Sequence, residues 1–316
     1  MTVVESRPLN SRIALVTGAS RGIGKAIATR CAAEGAAVAI CSRPTPGIEA
    51  LGTLDRAADD IRAAGGRVLA VPFDLGDVAV DVAALVDRTE AELGPVDILV
   101  NNAAAGGYKA FMEWSDRSIE RVLQLNFWAP WHLVARVLPG MRERGSGWII
   151  NVSSASAKPP AGPPFPPTAP AATGTIYGGT KAFLDRWTAS LAAEVWEEGI
   201  AVNTLAPQAA AATEVLVEYS DIPAELYEPL ETMAEAALAL ATADPTVLTG
   251  RITYSLELLA ELDRATLDLT GSAELADWAP GRLAERMDLM RAHALGTREG
   301  AGRSNVADLG SHLRQD

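Results

Sequence analysis

Thr17-Gly18-Ala19-Ser20-Arg21-Gly22-Ile23-Gly24 stands between a short apolar run, Ile13 to Val16, and a helical pattern, Lys25 to Ala33. The order is strand, glycine turn, helix. Glycines at 18, 22 and 24 leave φ unrestricted by a Cβ, so the chain can turn sharply and a diphosphate can approach the first N–H groups of the helix. Gly18, Ser20, Arg21, Gly22, Ile23 and Gly24 are therefore the first candidate binding residues. A glycine triplet alone also suits a plain tight turn. Context decides between the two: apolar runs alternate with helical patterns beyond it, as in a dinucleotide-binding α/β chain.

Outward from that turn, residues 11 to 100 read as three and a half βα units, with strands near 12–17, 37–42, 67–72 and 96–100 and helices near 22–33, 48–64 and 78–93. The strands are apolar almost throughout, which fits a parallel sheet covered by helices on both faces. Gly35, Gly65-Gly66 and Gly94-Pro95 mark helix ends where the chain reverses. Further on the pattern predicts a long helix from Ser115 to Met141, strands at Trp148–Val152, Ala201–Leu205 and Arg251–Ser255, and a helix over 177–198. The expected fold is one Rossmann-type, doubly wound, parallel seven-stranded α/β sheet over residues 11–258. A helical extension, 259–316, follows it.

The end of the second strand selects the dinucleotide. A carboxylate there would accept hydrogen bonds from the adenosine ribose, whereas a 2′-phosphate needs a cation. The residues are Cys41-Ser42-Arg43, with no carboxylate before Glu49, and Arg21 lies within the glycine turn. NADP is favoured, with NAD possible. Asp74 and Leu75 are placed to meet the adenine, and Asn102 and Ala103 close the fourth strand beside the cofactor.

With 316 residues, 48% of them hydrophobic, the chain can bury a large core. Its 27 Lys and Arg against 40 Asp and Glu, a net charge of -13, give no surface for nucleic acid or anionic lipid. No apolar run reaches the ~20 residues of a membrane span, and Met1 to Asn10 lacks a signal-peptide core, so a cytoplasmic protein is expected. Cys31 and Cys41 read as buried thiols, and three scattered histidines match no metal-ligand spacing; no metal is expected.

Tyr177 and Lys181 are four apart on a predicted helix and so share one face. A phenol has a pKa near ~10, and a neighbouring ammonium favours its anion, which brings proton transfer within reach of neutral pH. Tyr177 could then act as acid to a carbonyl oxygen or base to an alcohol. A serine at the end of the fifth strand, Ser153 or Ser154, could hold the substrate oxygen against it.

These pieces together resemble a short-chain dehydrogenase/reductase of the classical type. The resemblance rests on the T-G-x-x-x-G-x-G run at 17–24, Asp74, Asn101-Asn102-Ala103-Ala104, Asn126, Asn151-Val152-Ser153-Ser154 and Tyr177-Gly178-Gly179-Thr180-Lys181, and covers residues 11 to about 255. Cys41 to Asp55 and Asn203 to Pro207 resemble the hydroxysteroid-dehydrogenase-like branch. The resemblance implies that Ser154 orients the substrate oxygen and that Asn126 binds a backbone carbonyl and holds a water near Lys181. Lys181 and Tyr177 would also contact the nicotinamide ribose, and Pro207 the nicotinamide side of the cleft. It implies a homodimer or homotetramer, too.

Three departures stand out: Gln208 where the family has glycine, Thr213 one residue late, and a proline-rich insertion, Lys158 to Pro167, between Ser154 and Tyr177. Residues 209–232 read as a mobile helical flap over an apolar substrate body, and Glu299–Asp316 as a loose polar end. The expected activity is hydride transfer between the nicotinamide and a small-molecule carbonyl or alcohol. The alternatives are reduction of an activated double bond and a catalytically silent NADP-binding sensor or scaffold.

Overall fold

Strands β1 (Ile13–Thr17), β2 (Ala37–Ser42), β3 (Arg67–Pro72), β4 (Ile98–Asn101), β5 (Gly147–Val152), β6 (Ile200–Ala206) and β7 (Ile252–Tyr254) form one parallel sheet in the order β3-β2-β1-β4-β5-β6-β7. The structure, a computed structural model, describes residues 7–44, 52–107, 109–165, 174–220 and 222–300, with side chains to Met290. Between β1 and β4 the strand order reverses, which opens a crevice at the carboxyl ends of the strands. Register aligns those ends: Thr17 lies beside Cys41, Asn101 beside Asn151, and Val152 beside Leu205. One edge thus carries the glycine turn, the Ser42-Arg43 corner, the Asn101-Asn102 corner and the Ser153-Ser154 corner.

Helices cover both faces because the strands are buried on both. On one face pack α1 (Gly22–Ala33), α2 (Leu54–Ala63) and the later helices α8 (Leu230–Thr242) and α9 (Ser255–Glu261); on the other, α3 (Ala83–Leu93), α5 (Ala129–Arg144) and α6 (Thr175–Glu194). α8 escaped the sequence reading, which had extended a flap to residue 232. Every residue from Thr232 to Ala241 is buried, and its alanines let α8 lie close along α1. Because its polar residues Thr232 and Glu235 are buried along with its apolar ones, the sequence offers no outward polar face to mark it.

Three boundaries moved for identifiable reasons. α2 starts at Leu54, where Thr53 caps it by accepting the Arg56 N–H; the earlier part of the predicted helix, 48–51, lies outside the described residues. α3 starts at Ala83 because Asp74, Asp77 and Asp81 each accept an N–H two residues on, from Gly76, Ala79 and Ala83, holding that stretch in turns. The long helix at 115 is divided into α4 (Asp116–Leu123), a wide π-turn (Gln124–Trp128) and α5. Pro130 has no N–H to donate to the carbonyl of Asn126 four residues earlier, so a regular ladder cannot run through this point.

The expected division after residue 258 falls inside α9, where Leu258 and Leu259 are both buried. Beyond it, Trp278 and, on α10 (Pro280–Gly300), Leu283 and Met290 join the same core cluster as β1 and α1. Domain and extension therefore share one core. Met287 packs at its margin, while the predicted loose end from 301 to 316 lies outside the described residues. Both cysteines are buried, and burial pushes each thiol pKa up to about 12. Among the described residues no helix is long and apolar enough to cross a membrane, and no three metal-ligating side chains cluster.

Candidate active site

A cavity of about 550 Å³ opens at the crevice. Its walls include Gly18, Ser20, Arg21, Gly22, Ile23, Gly24, Arg43, Asp74, Leu75, Asn102 and Ala103, eleven of the sequence-predicted binding residues. Glycine is needed at two of these points by close approach. A Cβ on Gly18 would come within 2.8 Å of the Ala103 Cα, and one on Gly24 within 2.6 Å of the Gly18 carbonyl and 2.4 Å of the Asn102 amide. Asn102 sets the turn directly: its Nδ2 donates to the carbonyls of Thr17 (2.8 Å) and Gly18 (3.1 Å). Thr17 Oγ1 accepts the N–H groups of Asn102 and Ala103, both at 3.0 Å.

At the far end of this cavity the Ser42 and Ser20 hydroxyls meet at 3.1 Å, joining the end of β2 to the glycine turn. Arg21 and Arg43 both line this end. Burial lowers the Arg21 pKa; the Glu214 carboxylate pulls it back up, and Arg43 lowers it further, so the two guanidiniums feel each other. Asp74 is held by Arg121, whose Nη2 stands 3.3 Å from both carboxylate oxygens. Arg121 also lines the cavity and was not foreseen.

The catalytic candidates lie beyond the cavity wall at Gly106. A Cβ there would strike the Tyr177 ring at 2.5 Å, so this glycine lets the ring lie against the β4 corner. Lys181 is buried, donates from Nζ to the Val152 carbonyl at 2.7 Å, and sits 5.8 Å from the centre of the Tyr177 ring. Burial lowers its pKa to about 8, while Asp185, one turn further along α6, pushes the other way. Asp185 is itself raised by burial, and Ser153 and Thr204 help to keep it acidic. Ser153 is buried, and its Oγ meets no hydrogen-bond partner among the described residues. Ser154 is half-buried, and its Oγ accepts the Ser156 N–H at 3.2 Å.

Asn126 projects from the π-turn and is buried. Its Oδ1 accepts the Ala105 N–H at 2.8 Å; its Nδ2 donates to the Ala105 carbonyl at 2.8 Å and to Thr180 Oγ1 at 3.0 Å. Both amide hydrogens are therefore spent on bracing the β4 corner against α6.

Asn126, Ser154, Tyr177, Lys181 and Pro207 do not line the cavity. Pro207 leads into the turn occupied by Gln208. There Ser255 Oγ accepts the Gln208 N–H at 3.2 Å, and the buried Glu228 carboxylate accepts the Ala209 N–H at 3.0 Å and bonds the Thr232 and Ser255 hydroxyls. Glu228 carried no sequence signal. Burial raises its pKa, and those hydrogen bonds act against the rise.

Residues 12–222 match the model of the short chain dehydrogenase family. The chain belongs to that family. It is 33% identical over 199 residues to a ketoacyl reductase, HetN, of Nostoc sp., matching 63% of either chain, so the likeness spans a little under two thirds of that relative. Among solved structures, a 7α-hydroxysteroid dehydrogenase in complex with NADH and 7-oxo glycochenodeoxycholic acid superposes with a TM-score of 0.66 at 28% identity, covering 80% of this chain and 96% of that one. A metagenomic short-chain oxidoreductase in complex with NADP gives 0.62 at 26% identity, covering 78% and 98%.

Proposed function

We propose that this chain is an NADP-preferring short-chain alcohol dehydrogenase or carbonyl reductase whose substrate has an apolar body. The observation that carries the reading is Lys181: a buried amine held by the end of β5, 5.8 Å from the Tyr177 ring and one helical turn along the same helix. The residues present fit a dinucleotide. Gly18, Gly22 and Gly24 line the cavity, and an anionic oxygen, that of Glu214, already takes the Gly22 N–H at the start of α1. When bound, NADP supplies or takes the hydride. Tyr177 gives its proton to the carbonyl oxygen in reduction and recovers it from the alcohol in oxidation. Ser154 orients that oxygen, Lys181 stabilises the phenolate, and Asn126 keeps the β4 corner and α6 in register.

NADPH absorbance followed against aliphatic aldehydes, ketones and enoyl compounds tests the reaction type. Turnover of a carbonyl supports the proposal; turnover of enoyl compounds alone moves it to double-bond reduction. Tight dinucleotide binding without turnover of any of them replaces it with a sensor.

Cofactor preference has its own test. Arg43→Asp removes one of two guanidiniums at the adenosine end and adds a charge that repels a 2′-phosphate. A charge-assisted hydrogen bond is worth about 1.5–3 kcal/mol, so KM for NADPH should rise about 10–100-fold with KM for NADH nearly unchanged. Equal effects on both would remove the argument.

Self-association is supported by a ladder of rings on the π-turn, α5 and α6: Phe127 against Phe183 at 4.1 Å, and Trp131 against Trp187 at 5.6 Å. Trp128 and Trp131, at 45% and 43% exposure, leave its outer side open. Large exposed apolar patches mark interaction sites. The wild-type chain should elute as a dimer or tetramer in size-exclusion chromatography, and Trp131→Glu as a monomer. Elution of the wild type as a monomer would end this part of the proposal.

A further inference from the structure

The Glu214 side chain reaches across the cleft to the glycine turn, 192 residues away in sequence, where its Oε2 accepts the Gly22 N–H at 2.9 Å. Gly22 opens α1 and has φ of 57°, and a Cβ there would stand 3.1 Å from Thr213 Cγ2. The start of the flap therefore lies directly on the first turn of α1. Thr213 caps the flap helix α7 (Glu214–Tyr219) by accepting the Leu216 N–H, and α7 buries none of its residues. Glu214 also acts on Arg21 across the same opening.

An N–H group at a helix start takes one anionic oxygen at a time, and a second anion there meets both a spent donor and a like charge. We infer that Glu214 is an affinity-setting residue of the dinucleotide site: its carboxylate holds the place of a pyrophosphate oxygen, and the dinucleotide enters by displacing it. This rests on the cofactor reading above. Two consequences follow from the geometry. The intrinsic affinity of the turn is larger than the affinity the wild-type chain displays, because part of it is spent on expelling the carboxylate. Displacement also detaches α7 from α1, so the flap is freed when the dinucleotide is seated.

The test compares wild type, Glu214→Gln, Glu214→Ala and, as a control on the exposed side of α7, Glu218→Gln, each checked for folding by its melting temperature. Dissociation constants for NADPH, and for inorganic pyrophosphate as a competing probe, are read by fluorescence titration. Hydrogen exchange of residues 215–219 is followed with and without NADPH. Loss of the competing charge should tighten NADPH and pyrophosphate about tenfold in both Glu214 variants and leave Glu218→Gln at the wild-type value. Exchange in α7 should be speeded by NADPH in the wild type and already be fast in the free Glu214 variants. Unchanged or weaker NADPH binding in Glu214→Gln, with wild-type binding intact, overturns the inference and leaves the cofactor reading standing. Failure of every form to bind NADPH or NADH overturns both.

Discussion

Tyr177→Phe should lower kcat by about 10²–10⁴-fold, the range contributed by a positioned general acid or base, while dinucleotide affinity stays close to that of the wild type. Phenylalanine keeps the ring that lies against Gly106 and so keeps the β4 corner and α6 in place. Only the hydroxyl is lost. An interaction made in the transition state alone lowers kcat and kcat/KM together, and that equality separates loss of the proton donor from loss of substrate binding. Ser154→Ala should fall in the same direction by a smaller factor, since it removes a hydrogen bond to the reacting oxygen and no proton. If both variants turned over like the wild type on a substrate the wild type accepts, the catalytic assignment would be wrong.

The pH dependence has a definite sign. Lys181 has a folded pKa of about 8, below its ordinary 10.5. Between those values the unfolded chain holds the extra proton, so stability rises with pH across that window and the burial penalty is present in full below about 8. Catalysis follows a different course. At neutral pH the amine is mostly charged and favours the phenolate; as pH climbs through about 8 that support is withdrawn.

What could be read from the residues alone was whatever is local. Gly18, Gly22 and Gly24 announce the turn because no other residue tolerates those approaches, and runs such as Val38-Ala39-Ile40 announce buried parallel strands. Tyr177 and Lys181 declare themselves through helical spacing. What escaped depends on contacts distant in sequence. α8 is buried on nearly all sides and its polar residues Thr232 and Glu235 are buried with it, so periodicity says little about it. The π-turn at Asn126 needed the missing N–H of Pro130 to be weighed against the helical pattern around it. Glu214, Glu228 and Arg121 are ordinary surface-type residues in sequence; only the fold brings them to Gly22, Ala209 and Asp74. Gly106 was within reach of sequence reasoning, since a glycine pair after the Asn-Ala run asks what approaches it.

Glu235→Ala should cost about 3–5 kcal/mol of stability, the price of removing one member of a buried ion pair, against the 5–15 kcal/mol that typical domains possess. Glu235 and Arg30 are each 1% exposed. The Glu235 carboxylate accepts Arg30 Nε at 2.9 Å and Arg264 Nε at 2.7 Å, and Arg30 also pairs with Glu34. The loss falls unevenly on the two partners. Arg264 is partly exposed and can rehydrate; Arg30, closed in by Gly271, keeps Glu34 alone. Because Arg30 belongs to α1, Glu235 to α8 and Arg264 to the segment after α9, this cluster joins the helix that carries the anion seat to the segment beyond residue 258. A fall in Tm on the order of 10 °C is expected. Arg30→Met combined with Glu235→Leu should recover much of it, since burial of apolar groups in place of the pair removes the desolvation of both charges. A Glu235→Ala chain that melts with the wild type would show that α1, α8 and the extension are held together by their apolar contacts and that the charges add nothing; a double variant less stable than the single would show that Arg30 still contributes through Glu34.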